Sequence, residues 1–396
     1  MQILKPVTIL TVIGSLVYVL LTVYTGDYFY DRNVIMPCPS VLSAQRYGIW
    51  KTRPLTKDED DEIETFLRES LFTGNSFPLY EGTKKTCGNI SYFNETARNR
   101  PGHWHRVLCN PRGDNPCCYN NQCVKKPVGQ CVCSECYDLR TEVHAEYSKW
   151  IPNDERCQLE NFTSQTACEL LKGGTYHFYG DSLVRMMFLA FIIILKGDNQ
   201  YGGLRPDTPK EEAEKCSGMY VFPIKNCRQY LDYSPTLCNG TVQAVFKMYT
   251  QGGAAPRMVK DVTEILDKPR SMILYGCGMW SMFNRKDVER YALSVIHTVQ
   301  NSTDRQWPKL VWSGIHRYGL WRRHHVKTVD YEHAESFNRH MESVVGKYNV
   351  PMLDTFNMTR GVRSVDAIHY GPGVNFLKAQ IYLNHIKELQ AKGKWE

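Results

Sequence analysis

Short apolar strands alternate with amphipathic helices from about residue 171 to the end of the chain, which predicts a three-layer α/β/α sandwich around a mostly parallel sheet. Two further observations complete the fold class. Most of the fifteen cysteines fall between Cys87 and Cys168, which predicts a disulfide-rich region ahead of the sandwich, and an apolar run near the N-terminus predicts a transmembrane helix ahead of that.

In chain order, residues 1–6 read as a cytoplasmic tail and 7–25 as a transmembrane signal anchor. The apolar run is about as long as a helix needs to cross a bilayer. It follows the single Lys5 and lacks a convincing small-residue cleavage site, and the Tyr-Phe-Tyr cluster after it suits a membrane interface. A removed signal peptide is the alternative. The anchor reading makes a single-pass type II protein with everything after residue 26 in the secretory lumen. The second apolar run, Met186 to Leu195, is too short to span and reads as a buried helix.

Six N-x-S/T sequons, at Asn89, Asn94, Asn161, Asn239, Asn301 and Asn357, suit a luminal surface as glycosylation sites. The cysteine density agrees, since a reduced cytosolic chain rarely carries it. An odd count leaves one thiol over. Cys38 is the candidate for a disulfide-linked homodimer, and Cys277, in an apolar strand and turn, the candidate for a buried free thiol.

Residues 26–60, with Pro37, Pro39 and Pro54 and a charge run beginning at Lys57, read as a stem with little core. Residues 61–170 read as a cysteine-rich luminal region, too loop-rich to hold itself by apolar burial and therefore dependent on disulfides. Zinc is the competing use of these cysteines, given His103, His105 and the Cys133-x2-Cys136 pair, but the lumen favours disulfides and no metal is expected.

The remaining stretch, 171–396, suits one α/β/α domain of about 220 residues. Strands are predicted over 175–179, 243–249, 271–275, 309–313 and 350–353, and helices near 183–195, 285–300, 331–347 and 373–390. Functional loops then lie at the C-terminal ends of the strands, where Ser182, Gly276 and Gly314 fall.

Ser182 ends Gly180-Asp181-Ser182, between an apolar aromatic run and a helical pattern, which reads as strand, tight turn and helix. A serine there exposes its hydroxyl, and its backbone N–H is among the unpaired amides that can stabilise an oxyanion. Asp366 and His369 lie three apart in a loop of small residues. An imidazole can take the serine's proton if a carboxylate fixes its tautomer, so Ser182, His369 and Asp366 supply nucleophile, base and orienting group for acyl transfer. Either motif alone is a common turn sequence.

The sequence resembles the SGNH (GDSL-like) superfamily over roughly residues 171–396, in particular its PC-esterase branch. That branch includes plant trichome birefringence-like polysaccharide O-acetyltransferases and the animal sialate O-acetyltransferase. The carriers are Gly180-Asp181-Ser182-Leu183-Val-Arg185, Asp354-Thr-Phe-Asn-Met-Thr359 and Asp366-Ala-Ile-His369-Tyr370. The resemblance implies the same three roles for Ser182, His369 and Asp366. It also implies an oxyanion-hole glycine, for which Gly202 or Gly203 is available, and a Gly-x-Asn block. This chain has Tyr275-Gly276-Cys277-Gly278 where that block should fall, with Asn284 a few residues on. Backbone amides at Gly276 or Gly278, or the Arg185 side chain, are the substitutes for the missing asparagine.

A basic and aromatic segment from His316 to Lys327 follows the predicted strand at 309–313. Arg317, Tyr318, Trp321 and Arg322 are candidates for binding a sugar, through hydrogen bonds to its hydroxyls and packing on its C–H face. A solvated basic loop is the plain alternative on a chain of net charge +7. Nucleic acid is an improbable partner for a luminal chain with no matching module.

The function expected is a Golgi-membrane, luminal O-acyltransferase acetylating glycan hydroxyls, with no bound cofactor and with acetyl-CoA or a luminal acetyl carrier as co-substrate. Acetyl-CoA is cytosolic, so a separate transporter or luminal donor is required. A carbohydrate or lipid esterase with the same triad and a non-catalytic glycan-binding protein are the alternatives, as are the endoplasmic reticulum and secretion for its location.

Overall fold

The computed structural model describes residues 38–71, 85–88, 106–303, 306–321, 331–366 and 368–395. The expected membrane anchor at 7–25 lies outside them, and among the described residues no helix is long and apolar enough to cross a membrane.

The strands in chain order are β1 (Gly48–Lys51), β2 (Cys117–Tyr119), β3 (Gln122–Val124), β4 (Tyr137–Asp138), β5 (Lys149–Pro152), β6 (Thr175–Gly180), β7 (Thr236–Leu237), β8 (Val242–Met248), β9 (Ser271–Gly276), β10 (Lys309–Ser313) and β11 (Met352–Leu353). The helices are α1 (Val41–Ala44), α2 (Lys57–Leu71), α3 (Ser164–Leu171), α4 (Ser182–Lys196), α5 (Lys210–Lys215), α6 (Ala255–Thr263), α7 (Arg285–Gln300), α8 (Tyr331–Gly346) and α9 (Pro372–Ala391). The five strands and four helices predicted after residue 171 all form, with ends within about three residues of expectation.

The main sheet has the order β11-β10-β9-β6-β8-β7. All its pairings are parallel except β7 with β8, an antiparallel edge. β6 and β9 are buried almost without alternation because helices cover both their faces. Alternate residues of β6 face opposite layers. Tyr179, with Ile273, Tyr275 and Trp312 of its neighbours, packs against α6, α7 and α8. Tyr176 and Phe178 pack against Phe188 and Phe191 of α4 and Tyr382 of α9. α4 is therefore apolar all round, and every residue from Leu183 to Leu195 is buried.

The chain leaves β6 to one side for β8 and later returns to the other for β9, so the sheet's switch point lies at the C-terminal end of β6. Gly180 and Gly276 are opposite one another there. A Cβ on Gly180 would come within 2.3 Å of the Gly276 carbonyl, so the turn into α4 needs glycine for close approach.

Residues Pro39–Glu396 form one compact unit, which corrects the expectation of a stem without core as far as residue 60. The Val41 N–H donates to Glu388 of α9 at 2.9 Å, and Arg46 pairs with Glu342 at 2.5 Å and Asp354 at 2.9 Å. β1 pairs with β5, and α2 buries Ile63, Phe66 and Leu67 against Val365. This packing places the first helices directly behind the loop that carries Asp366.

The cysteine-rich part is a small antiparallel sheet of order β3-β2-β4 held by Cys87–Cys118, Cys109–Cys123, Cys117–Cys131 and Cys133–Cys136. The sulfurs of Cys87, Cys109 and Cys123 lie within 4.8 Å of one another, a separation that ligands of one metal would show, but all three are taken up in disulfides. Cys168–Cys238 and Cys216–Cys227 brace the α/β part. Cys38 is disulfide-bonded and the leftover thiol is the buried Cys277, so the odd cysteine is not the one expected to link two chains.

Candidate active site

Asp181 caps α4. Its backbone is extended, and its Oδ1 accepts the Leu183 N–H at 2.9 Å, which starts the helix at Ser182. The serine thus sits in the first turn, where backbone amides have no partner within the helix. Across from it, the loop before α9 folds back so that Asp366 Oδ1 accepts the backbone N–H groups of Ile368 at 3.1 Å and His369 at 2.8 Å. The sequence separation of three is what lets one carboxylate hold both its own turn and the imidazole.

The three side chains meet. His369 Nδ1 donates to Asp366 Oδ2 at 2.7 Å, and His369 Nε2 accepts from the Ser182 hydroxyl at 2.7 Å. This tautomer leaves Nε2 free to take the serine's proton. Burial works to raise the Asp366 carboxyl's pKa, but the His369 charge and the bonds from its ring and backbone outweigh that and hold it well below the ordinary range. The Asp366 side chain is 38% exposed, which softens the desolvation side of that balance.

A second polar chain runs beneath the triad. Lys378 of α9 donates to His316 Nδ1 at 3.1 Å, and His316 Nε2 donates to the carbonyl of Ile368, the residue before His369, at 2.5 Å. Lys378 and His316 are buried, and Tyr370 stands edge-on to the His316 ring, with centroids 4.9 Å apart. Burial pushes the lysine down to about 8, against the pull of the Asp181 carboxylate. The ammonium is thus joined through His316 to the backbone of the histidine loop, while its relation to Asp181 is one of charge alone, the Asp181 Oδ2 having no hydrogen-bond partner among the described residues. Sequence reasoning missed it, because Lys378 looks like any polar residue of a terminal helix and His316 reads as part of a basic rim.

The oxyanion candidates divide. Gly202 and Gly203 are excluded: they pack on Ile193 and Leu189 toward the C-terminal end of α4, and the Gly202 N–H already donates to Asp198 at 3.0 Å. Eleven residues of helix between Ser182 and Ile193 put them about 16 Å from the serine. Gly276 stands opposite Gly180 in the sheet, which puts the Gly276-Cys277-Gly278 block beside the turn that leads to Ser182; the Cys277 thiol is pushed up first by burial and then by the Asp181 charge. Asn284 is the N-cap of α7, accepting from the Asp287 N–H at 3.2 Å. Arg185 lies one turn beyond Ser182 and is buried.

The sugar-binding candidates fare differently from the triad. Tyr318 and Trp321 are buried, Tyr318 in the main core with its hydroxyl on Met279 Sδ at 3.1 Å, and Trp321 among the disulfides of the cysteine-rich part. Neither is a rim residue, because the chain turns both rings inward. Arg317 is half-buried with its guanidinium over the Phe356 ring at 5.9 Å. Arg322 lies outside the described residues, as do Asn89 and Asn94. Asn161, Asn239 and Asn301 are exposed. Asn357 is half-buried, and the Thr359 hydroxyl of its sequon accepts the Arg317 N–H at 2.9 Å inside the fold.

No family model and no curated protein matches the chain. Among solved structures it is similar to a member of the lipolytic protein G-D-S-L family from Veillonella parvula, at 11% identity and TM-score 0.31, covering 53% of this chain and 96% of that one. It is also similar to a mutant of Axe2, an acetyl-xylooligosaccharide esterase from Geobacillus, at 14% identity and TM-score 0.33, covering 57% and 96%. The mostly parallel sheet, the serine at the C-terminal end of its central strand and the Asp-x-x-His loop before the last helix make an α/β fold that brings a serine, a histidine and an aspartate together, the arrangement that the sequence resemblance implies.

Proposed function

We propose that the chain is a serine-dependent O-acyltransferase that acetylates hydroxyls of glycans through an acyl-enzyme on Ser182. The observation that carries the acyl-transfer chemistry is the unbroken run Ser182–His369–Asp366, with 2.7 Å at each step. In the first half-reaction, Ser182 Oγ attacks the acyl carbonyl and its proton passes to His369 Nε2. The bond from carbonyl carbon to the donor's oxygen or sulfur then breaks, and the imidazolium gives its proton to that leaving group. In the second, a sugar hydroxyl gives its proton to His369 Nε2 and attacks the acyl-enzyme. Ser182 Oγ leaves with the proton, and the acyl group is now an ester of the sugar. Asp366 holds the ring and its charge through both steps.

The donor, acetyl-CoA or a luminal acetyl carrier, is a co-substrate; the chemistry itself needs no bound cofactor. The glycan acceptor and a Golgi membrane location rest on the resemblance to glycan O-acetyltransferases and on the apolar run at 7–25. The extensive disulfides and the three exposed sequons suit the same compartment.

The test is the full chain in detergent, incubated with an acetyl ester with and without sugar acceptors. Acetyl transfer that depends on the acceptor supports the reading. Acetate release without an acceptor makes the chain an esterase, and glycan binding without turnover makes it non-catalytic.

A further inference from the structure

A second group of charges stands beside Ser182 that the acyl-transfer steps do not use. Arg185 is three residues beyond the serine on α4, the spacing that makes two side chains neighbours on a helix surface. The residue is 1% exposed, yet its Nε and Nη2 have no hydrogen-bond partner among the described residues. A buried guanidinium is normally paired. Asp181 and Tyr233 favour the charged guanidinium without a hydrogen bond to it, and a second arginine, Arg228, opposes it; the Arg228 Nε is also without a hydrogen-bond partner among the described residues. Burial first, and then repulsion from Arg228, push Arg185 down to about 10.

Arg228 is held in place by the surrounding chain. It lies in the 3-10 turn Lys225–Tyr230, next to the Cys216–Cys227 disulfide. The Tyr233 hydroxyl donates to its carbonyl at 3.1 Å, and the Tyr233 ring leans on Phe246 of β8 with centroids 5.4 Å apart. Two guanidiniums near enough to repel, with donors unused and one of them fully buried, match the needs of an anion with several acceptor oxygens.

We propose that Arg185 and Arg228 form an anion subsite beside Ser182 that holds a carboxylate or phosphate of the molecule reacting there. The role as a substrate subsite rests on acyl transfer at Ser182 as read above. A carboxylate would belong to an acidic sugar acceptor, and a phosphate to a nucleotide-type acyl donor.

Calorimetric titration of the full chain with glucuronate, with inorganic phosphate and with glucose tests the subsite without relying on turnover. At least one anion binds the wild type, glucose binds more weakly, and Arg228→Gln weakens binding of that anion by about tenfold or more, since it removes a charge-assisted hydrogen-bond donor. Arg228→Lys recovers part of the loss. Tighter binding of glucuronate identifies an acidic acceptor, and tighter binding of phosphate a phosphorylated donor. Binding of neither anion, or equal binding by wild type and Arg228→Gln, overturns the proposal. Labelling of wild-type Ser182 by a fluorophosphonate is read alongside. Labelling without anion binding overturns the subsite alone, whereas anion binding without labelling supports the subsite and counts against the acyl-enzyme.

Discussion

Asp366→Asn is the substitution whose consequence the geometry fixes most closely. The carboxylate accepts three hydrogen bonds, from His369 Nδ1 on Oδ2 and from the backbone N–H groups of Ile368 and His369 on Oδ1. An amide has only one acceptor oxygen. If that oxygen faces the two backbone groups, the NH2 faces His369 and Nδ1 must accept rather than donate. The ring proton then moves to Nε2, where it meets the Ser182 hydroxyl, and the general base is lost although every heavy atom stays in place. If the amide flips, its NH2 confronts two backbone donors, at about 1–3 kcal/mol for each one left unsatisfied. The first arrangement costs less and is the inactive one. A wrong-tautomer triad loses about 10⁴ in kcat. With the Asp366 side chain 38% exposed, water can replace part of the lost charge interaction, so we expect a loss of about 10³ to 10⁴, or roughly 4–5 kcal/mol of transition-state stabilisation. The assay is steady-state turnover of a neutral acetyl ester, with a thermal melt to establish folding. A folded Asp366→Asn chain keeping more than about a tenth of wild-type kcat would refute the reasoning.

Three further outcomes follow from the packing. Because the Lys378 amine sits at about 8 when folded and 10.5 otherwise, the unfolded chain binds the extra proton in that window, so folding stability rises with pH there. The rise is about 2 kcal/mol between about pH 7.5 and about pH 9.5 in wild type and absent in Lys378→Met; equal denaturant midpoints for the wild type at the two pH values would contradict it. Replacing Cys168 and Cys238 together by alanine opens a loop spanning 70 positions and lowers stability by about 4 kcal/mol, read from the denaturant midpoint; a loss under about 1 kcal/mol would count against that account. Arg46→Ala strands the buried Asp354 carboxylate and costs about 3 kcal/mol in the same assay, whereas an unchanged midpoint would return residues 39–60 to the role of a stem.

The sheet was legible because β6, β9 and β10 are dense in large apolar side chains and end in glycine or serine, so their burial and their turns are written locally. The triad was legible for the same reason: Asp181 caps the helix that begins at Ser182, and Asp366 holds His369 within one turn. What the sequence did not carry were contacts between distant segments. Lys378 and His316 are 62 positions apart, and nothing near either one announces the other. The Arg228 charge acts on Arg185 from a disulfide-braced turn 43 positions further along the chain. Tyr318 and Trp321 stand in a basic stretch and read as a solvent-facing rim. Which way an aromatic ring turns depends on the core opposite it, here Phe283 and Phe337 for Tyr318 and the cysteine-rich sheet for Trp321. The segment from Pro39 to residue 60 looked like a stem because its prolines and charges hide the anchors Val41 and Arg46 that seat it on the α/β part.

The central claim is that Ser182 is a nucleophile made reactive by His369, and covalent labelling by a fluorophosphonate tests it most directly. The full-length folded chain is treated with the probe, digested and analysed by mass spectrometry, beside Ser182→Ala. The account predicts one adduct, on Ser182 in wild type, and none in the variant. A folded wild-type chain that takes no label, or a Ser182→Ala chain labelled to the same extent, would contradict it.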